Sequence, residues 1–195
     1  MSKKEKIAII GTNGLPAKYG GFETLANYLT IHLKEEYDFV VYCSKTNKQN
    51  RRDHYNSSKL IYLPLKANGW QSVLYDVITI LHAWFTVDKL LVLGNSGAPI
   101  FPLKYFFGKK LILNIGGLDW QRSKWNYIVK KYIKFSERIC VKYSDVVITD
   151  NRYIQKIYKK HYNTESTLIE YGGDHVRRLK KTKEAVKKHP FLEKK

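Results

Sequence analysis

The stretch "IAIIGTNGLPAKYGGFETLANYL", Ile7 to Leu29, decides the fold. Ile7–Ile10 is a short β-branched run that reads as a buried strand, and Gly11 allows a tight exit from it. Phe22, Leu25, Ala26, Leu29 and Leu33 then recur at helical spacing. The glycines between strand and helix fit neither common phosphate fingerprint. A dinucleotide fold runs G-x-G-x-x-G straight into its helix, and a P-loop ends in Gly-Lys-Ser/Thr. Here Gly11 and Gly14 come first, Pro16 forbids an early helix start, and a second pair, Gly20-Gly21, opens the helix. A glycine pair at that point lets backbone N–H groups approach an anion at the positive end of the helix. The same pair would equally serve as a plain turn.

Further strands are expected near Phe39–Cys43, Leu60–Leu63, Leu90–Leu93, Leu111–Asn114, Val146–Thr149 and Thr167–Tyr171. Most are continuous apolar runs, the mark of strands covered on both faces and hence of a parallel sheet. Helical patterns fall between most of them. The expected fold is α/β: a doubly wound, mostly parallel, Rossmann-like sheet of about seven strands with right-handed crossovers. At 195 residues the chain suits one such domain, with residues 1–175 as the globular part and 176–195 as a basic appendage. Cys43 and Cys140 lie far apart, no signal-peptide pattern precedes them, and they read as reduced core residues. No apolar run reaches the ~20 residues of a membrane span.

Charge is the unusual feature. Thirty-five Lys and Arg stand against seventeen Asp and Glu, a formal net charge of +18. That excess exceeds what solubility requires and favours anionic partners: phosphorylated ligands, anionic lipid or nucleic acid.

Two helices bear on the choice. From Trp70 to Phe85, the residues Trp70, Val73, Leu74, Val77, Ile78, Ile80, Leu81, Trp84 and Phe85 share a broad face, and Asp76, Thr79 and His82 share the other. The expectation is a helix packed on the sheet by its apolar face, because the polar face lacks the Lys and Arg of an interfacial helix. From about Lys124 to Tyr143, an inward stripe of Trp125, Ile128, Val129, Tyr132, Ile139, Cys140 and Tyr143 is expected. The other face carries Lys124, Lys131, Lys134, Arg138 and Lys142, with Tyr127 and Phe135 among them. Such a mixture is either a solvated face or one suited to an anionic membrane surface.

A second glycine cluster, "LNIGGLDWQRSKWN" (Leu113–Asn126), follows the fifth expected strand. It therefore sits at the carboxyl edge of the sheet, where α/β folds bind ligands. Asp119 can accept a hydrogen bond or a proton from a sugar hydroxyl. Trp120 can stack on a sugar face, and Arg122 can grip a phosphate with two donors. "GNSG" (Gly94–Gly97) is a third loop at the same edge.

Taken together, "IIGTNGLPAKYGGFETLANYL" and "NIGGLDWQRSKW" resemble the N-terminal domain of bacterial rhamnosyltransferase-like enzymes of glycosyltransferase family 4, with the GT-B fold. "SERICVKYSDVVITDNRYIQKIY" (Ser136–Tyr158) and "IEYGGD" (Ile169–Asp174) extend the resemblance over most of the chain. The resemblance implies an acceptor-binding domain that faces a separate C-terminal donor domain across a cleft. It implies dTDP-rhamnose as donor, no metal or other cofactor, and a glycan or polyprenyl-diphosphate-linked sugar as acceptor at the cytoplasmic membrane face. It implies retention of anomeric configuration, with a donor phosphate oxygen as base. Gly20 and Gly21 would approach the donor diphosphate, and Asp119 and Arg122 would orient the acceptor. Glu23, Asn95, Gly117 and Trp120 would add acceptor contacts. The missing donor domain makes residues 176–195 an expected interdomain linker. One position departs from the pattern: relatives carry Asp or His where this chain has Gly116. Asp119 would then take over that contact, or the acceptor differs, or activity is impaired.

Two other classes stay open at this stage. A nucleic-acid module would use the +18 charge, but the sequence carries no helix-turn-helix, zinc or RNA-recognition motif, so no nucleic-acid partner is expected. A non-catalytic sugar- or lipid-binding protein would keep the fold without the chemistry.

Overall fold

The computed structural model describes residues 3–18, 20–44, 51–172 and 182–188. In chain order the elements are β1 (Glu5–Ile10), α1 (Gly21–His32), β2 (Tyr37–Cys43), β3 (His54–Tyr55), β4 (Ser58–Tyr62), α2 (Gln71–Thr86), β5 (Lys89–Leu93), a 3-10 segment (Ala98–Phe106), β6 (Lys110–Asn114), a 3-10 turn (Asp119–Gln121), α3 (Tyr127–Tyr143), β7 (Val146–Thr149), α4 (Arg152–Tyr162), β8 (Thr167–Leu168) and α5 (Lys183–Lys188). The strands form one eight-stranded sheet in the order β3-β4-β2-β1-β5-β6-β7-β8. Every pair is parallel except β3 with β4. The expected doubly wound α/β fold is therefore present, with one short antiparallel edge strand added. The last expected strand, Thr167–Tyr171, pairs only over Thr167–Leu168.

Strand order reverses beside β1. The chain leaves β1 toward β2 and later returns past it to β5, so successive crossovers fall on opposite faces. Side chains alternate accordingly. Ala8, Ile10, Leu90, Val92, Leu111, Leu113 and Val147 meet α2, the 3-10 segment, α3 and α4 in one core. Ile9, Phe39, Val41, Leu91 and Leu93 meet α1 in a second. Ala26 of α1 is fully buried there, with Phe22, Leu25, Leu29 and Leu33 packed around it, so the expected α1 stripe is the one observed. Both cysteines are free and buried.

The two long helices pack differently from expectation. On α2, Tyr75, Asp76, Thr79, Ile80, Ala83 and Trp84 face the core, while Trp70, Leu74, Ile78 and Phe85 are exposed. The core-facing side includes two residues assigned to the polar face. Thr79 satisfies its hydroxyl within the helix, donating to the Tyr75 and Asp76 carbonyls at 2.9 and 3.0 Å. Asp76 is fully enclosed, and burial holds its carboxyl well above the usual carboxylate range. An uncharged Asp76 costs far less to bury than a carboxylate would. On α3 the buried set is Ser136, Glu137, Cys140 and Val141, and the expected inward residues Ile128 and Tyr132 are exposed. Its core face is thus rotated by about one residue from the apolar stripe. In both helices the apolar arc is wider than the sheet can cover, and packing chose one edge of it.

Local capping fixes where α3 and α4 begin. Asn126 and Asn151 each accept, through the side-chain carbonyl, a hydrogen bond from the backbone N–H three residues on, at 2.9 Å. Among the described residues no helix is long and apolar enough to cross a membrane. Most of 176–195, the expected linker, lies outside the described residues, and within it α5 spans Lys183–Lys188.

Candidate carboxyl-edge site

Because the central strands run parallel, the loops after β1, β5, β6 and β7 all emerge at one edge. The reversal of strand order falls between β1 and β5, the usual crevice position in open α/β sheets. The β1 and β5 loops meet there: Gly11 lies so close to the Leu93 carbonyl that a side chain would not fit. The β6 loop joins them from the other side. Gly116 has a φ of +75°, and an added Cβ would come 3.0 Å from the Phe22 ring at the start of α1. Backbone conformation and packing together account for a glycine at this position. They also place Gly116 against the Phe22 side chain, which links the β6 loop to the start of α1. Gly21 and Gly117 have open space where a side chain would stand.

The β1 loop is held by Glu23. This carboxylate is almost fully buried, and its Oε1 accepts from the Asn13 backbone N–H at 2.8 Å and the Asn13 side-chain amide at 3.0 Å. Its Oε2 lies where a side chain on Gly20 would project. Tyr75 of α2 donates to the Thr12 carbonyl at 3.2 Å. The detour between the glycine clusters is therefore pinned from both α1 and α2.

Asn95 serves the β5 loop in a similar way. Its amide donates to the Ile133 carbonyl of α3 at 3.4 Å, and its own carbonyl accepts from the Cys140 thiol at 3.7 Å. Glu23 and Asn95, both expected at the acceptor, thus hold loops to helices.

The β6 loop carries the 3-10 turn. Arg122 Nε lies 2.8 Å from Asp119 Oδ1, and both side chains are about half exposed. The pair orients its two members at the rim and leaves the remaining guanidinium donors free of this contact. Beside Arg122 opens a pocket of about 350 Å³, lined by Leu118, Gln121, Arg122, Asn151, Tyr153 and Ile154. Its second wall is the first turn of α4. Sequence reasoning missed Gln121, Asn151 and Tyr153; the available signal was the Asp-Asn-Arg run directly after a buried strand, a helix cap at the ligand-binding edge.

Trp120 is less open than expected. It is wedged between α3 and α4, its ring 6.4 Å from His161 in a T-shaped pair and 4.7 Å from the Lys134 ammonium. Beneath it lies Glu137, fully buried, whose Oε1 accepts from the Tyr162 hydroxyl at 2.8 Å. Burial raises the Glu137 pKa, opposed by Tyr162 and by the Trp120 indole facing it. The indole N–H and Glu137 Oε2 nevertheless lack a partner in good geometry, so this contact is electrostatic more than a formed bond. The arrangement fixes the height of the turn that bears Asp119 and Arg122.

Comparison with known proteins agrees with the fold. The sucrose-phosphate synthase of Thermosynechococcus elongatus superposes with a TM-score of 0.65 at 15% identity, covering 87% of this chain and 48% of that one. A shorter chain of the same enzyme gives 0.59 at 13% identity, covering 87% and 91%. At such identities the likeness shows the fold alone, one Rossmann-like half of a GT-B glycosyltransferase architecture. The chain spans about half the length of the sucrose-phosphate synthase it matches. No curated protein sequence matches it. A family model covers nearly all of the residues that build the sheet and its edge, from 4 to 174, and by that match the chain belongs to the family described as a domain of unknown function, DUF1972.

Proposed function

We propose that this chain is the acceptor-side half of a retaining glycosyltransferase. The reaction is transfer of a sugar, rhamnose from dTDP-rhamnose, to a glycan or polyprenyl-diphosphate-linked acceptor in cell-surface polysaccharide synthesis at the cytoplasmic membrane face. The observation that carries this reading is the approach of Gly116 to Phe22, which joins the β6 loop to the glycine-opened start of α1 at one edge, on a sheet shared with a glycosyltransferase fold. A donor domain facing that edge closes the crevice, with residues 176–195 as the connection and 1–175 as the binding domain.

In this reading Gly20 and Gly21 approach the donor diphosphate, where the α1 N-terminus offsets its charge. Asp119 accepts a hydrogen bond from the acceptor hydroxyl, and Arg122 holds the acceptor phosphate or sugar oxygens beside it. Gly117 gives the acceptor room. Glu23, Asn95 and Trp120 position these groups through the loops. A donor phosphate oxygen takes the proton, so the chain contributes chiefly fixed charge and orientation. Isothermal titration tests the division of labour. The chain alone should bind dTDP-rhamnose weakly and turn over nothing, whereas tight binding would overturn the assignment of the donor to a companion domain.

A further inference from the structure

Both α2 and α3 turn apolar side chains away from the core. Trp70 is 82% exposed at the start of α2, and Leu74, Ile78 and Phe85 follow it along the outer face. On α3, Ile128 is 77% exposed, and Tyr132 and Phe135 continue its row. Lys131, Lys134, Arg138 and Lys142, spaced three or four apart, form an exposed row alongside. The only acid on α3, Glu137, is buried. Among the described residues no salt bridge closes on any of these four cations. Lys131 instead lies 4.5 Å from the Tyr127 ring. The two helices share one side of the sheet and both pack against the 3-10 segment. That segment exposes Leu103, Tyr105 and Phe106.

We propose that this α2–α3 face docks on an anionic lipid bilayer, the α3 cations among the headgroups and the apolar side chains in the interfacial layer. Cations without a salt-bridge partner, beside aromatic and aliphatic groups, match such a surface in both charge and polarity. Nucleic acid matches it less well, since α2 offers no Lys or Arg and the surface also exposes the aliphatic Ile128, Leu74 and Ile78. A two-fold contact with a second copy would set the cations of one α3 against those of the other. The inference stands on this surface alone, so failure of sugar-nucleotide binding would leave it intact.

Co-sedimentation of the 195-residue chain with phosphatidylcholine vesicles, with and without phosphatidylglycerol, is the test. Binding should require phosphatidylglycerol and weaken with salt. Lys131→Gln and Arg138→Gln should each lower partitioning roughly fivefold. Ile128→Ser with Phe135→Ser should also lower it at unchanged charge. Lys34→Gln, beyond α1 on the other side of the sheet, should leave it unchanged. All these side chains are exposed, and circular dichroism confirms that each variant is folded. The proposal is overturned if the parent chain ignores anionic vesicles or if the Ser variants bind as the parent does. It is equally overturned if the Ser variants abolish a dimer seen by light scattering, or if the chain retains duplex DNA but not vesicles.

Discussion

Replacing Asp76 by Asn should flatten the dependence of stability on pH. Asp76 is completely enclosed on the core side of α2, its Oδ1 has no partner, and burial raises its pKa well above the usual value. The folded protein therefore keeps this proton at pH values where the unfolded chain has released it. Stability is then fully present below the unfolded-state pKa and is lost as pH rises toward the folded one. Within that window the loss is about 1.4 kcal/mol per pH unit. Asn has nearly the same shape and no proton to lose, so the variant lacks this slope. The difference between the proteins should therefore change in one direction as pH rises, by up to about 1.4 kcal/mol for each pH unit that lies below the folded-state value, against a typical stability of about 5–15 kcal/mol. Urea unfolding at pH 5 and pH 7 measures it, and Glu137, present in both proteins, cancels in the comparison. Parallel stability curves would refute the reasoning, because they would mean that Asp76 is ionised in the folded state.

Four further substitutions separate packing from binding. Gly116→Ala forces a side chain into a left-handed conformation against Phe22 and should cost about 1–2 kcal/mol in thermal or urea unfolding. Gly117→Ala meets open space and should leave stability within about 0.5 kcal/mol. Gly21→Ala should not lower stability, since Ala is the better helix former, yet should weaken sugar-nucleotide binding in calorimetry by crowding the α1 N-terminus. Arg122→Gln breaks an exposed ion pair and should change stability by less than about 1 kcal/mol, while acceptor transfer by the assembled enzyme falls at least tenfold.

The fold was legible because parallel strands announce themselves as uninterrupted apolar runs, and Ile7–Ile10, Leu90–Leu93 and Leu111–Asn114 are strands as read. β3 was not, since two paired residues in a polar stretch leave no periodic signal. The faces of α2 and α3 were misjudged for one physical reason. Periodicity locates the apolar arc of a helix but not which part of it the sheet covers, and Asp76, Thr79 and Glu137 became tolerable inside through protonation or local hydrogen bonds. At the site, glycines with a loop after a strand were readable from spacing. That Glu23 and Asn95 hold loops, and that Trp120 leans on Glu137, depends on contacts 10 to 38 residues apart in the chain or across α3 and α4, which no local pattern encodes.

The central claim is that the two glycine clusters form one wall of a sugar-nucleotide crevice. Mapping backbone amide shifts of the isotope-labelled chain during titration with dTDP-rhamnose tests it most directly. The account predicts that the largest shifts fall at Gly20, Gly21 and Phe22, with smaller ones at Gly116, Gly117 and Asp119 on the acceptor side of the same edge. Perturbation confined to other surfaces, or none there at millimolar ligand, would contradict it.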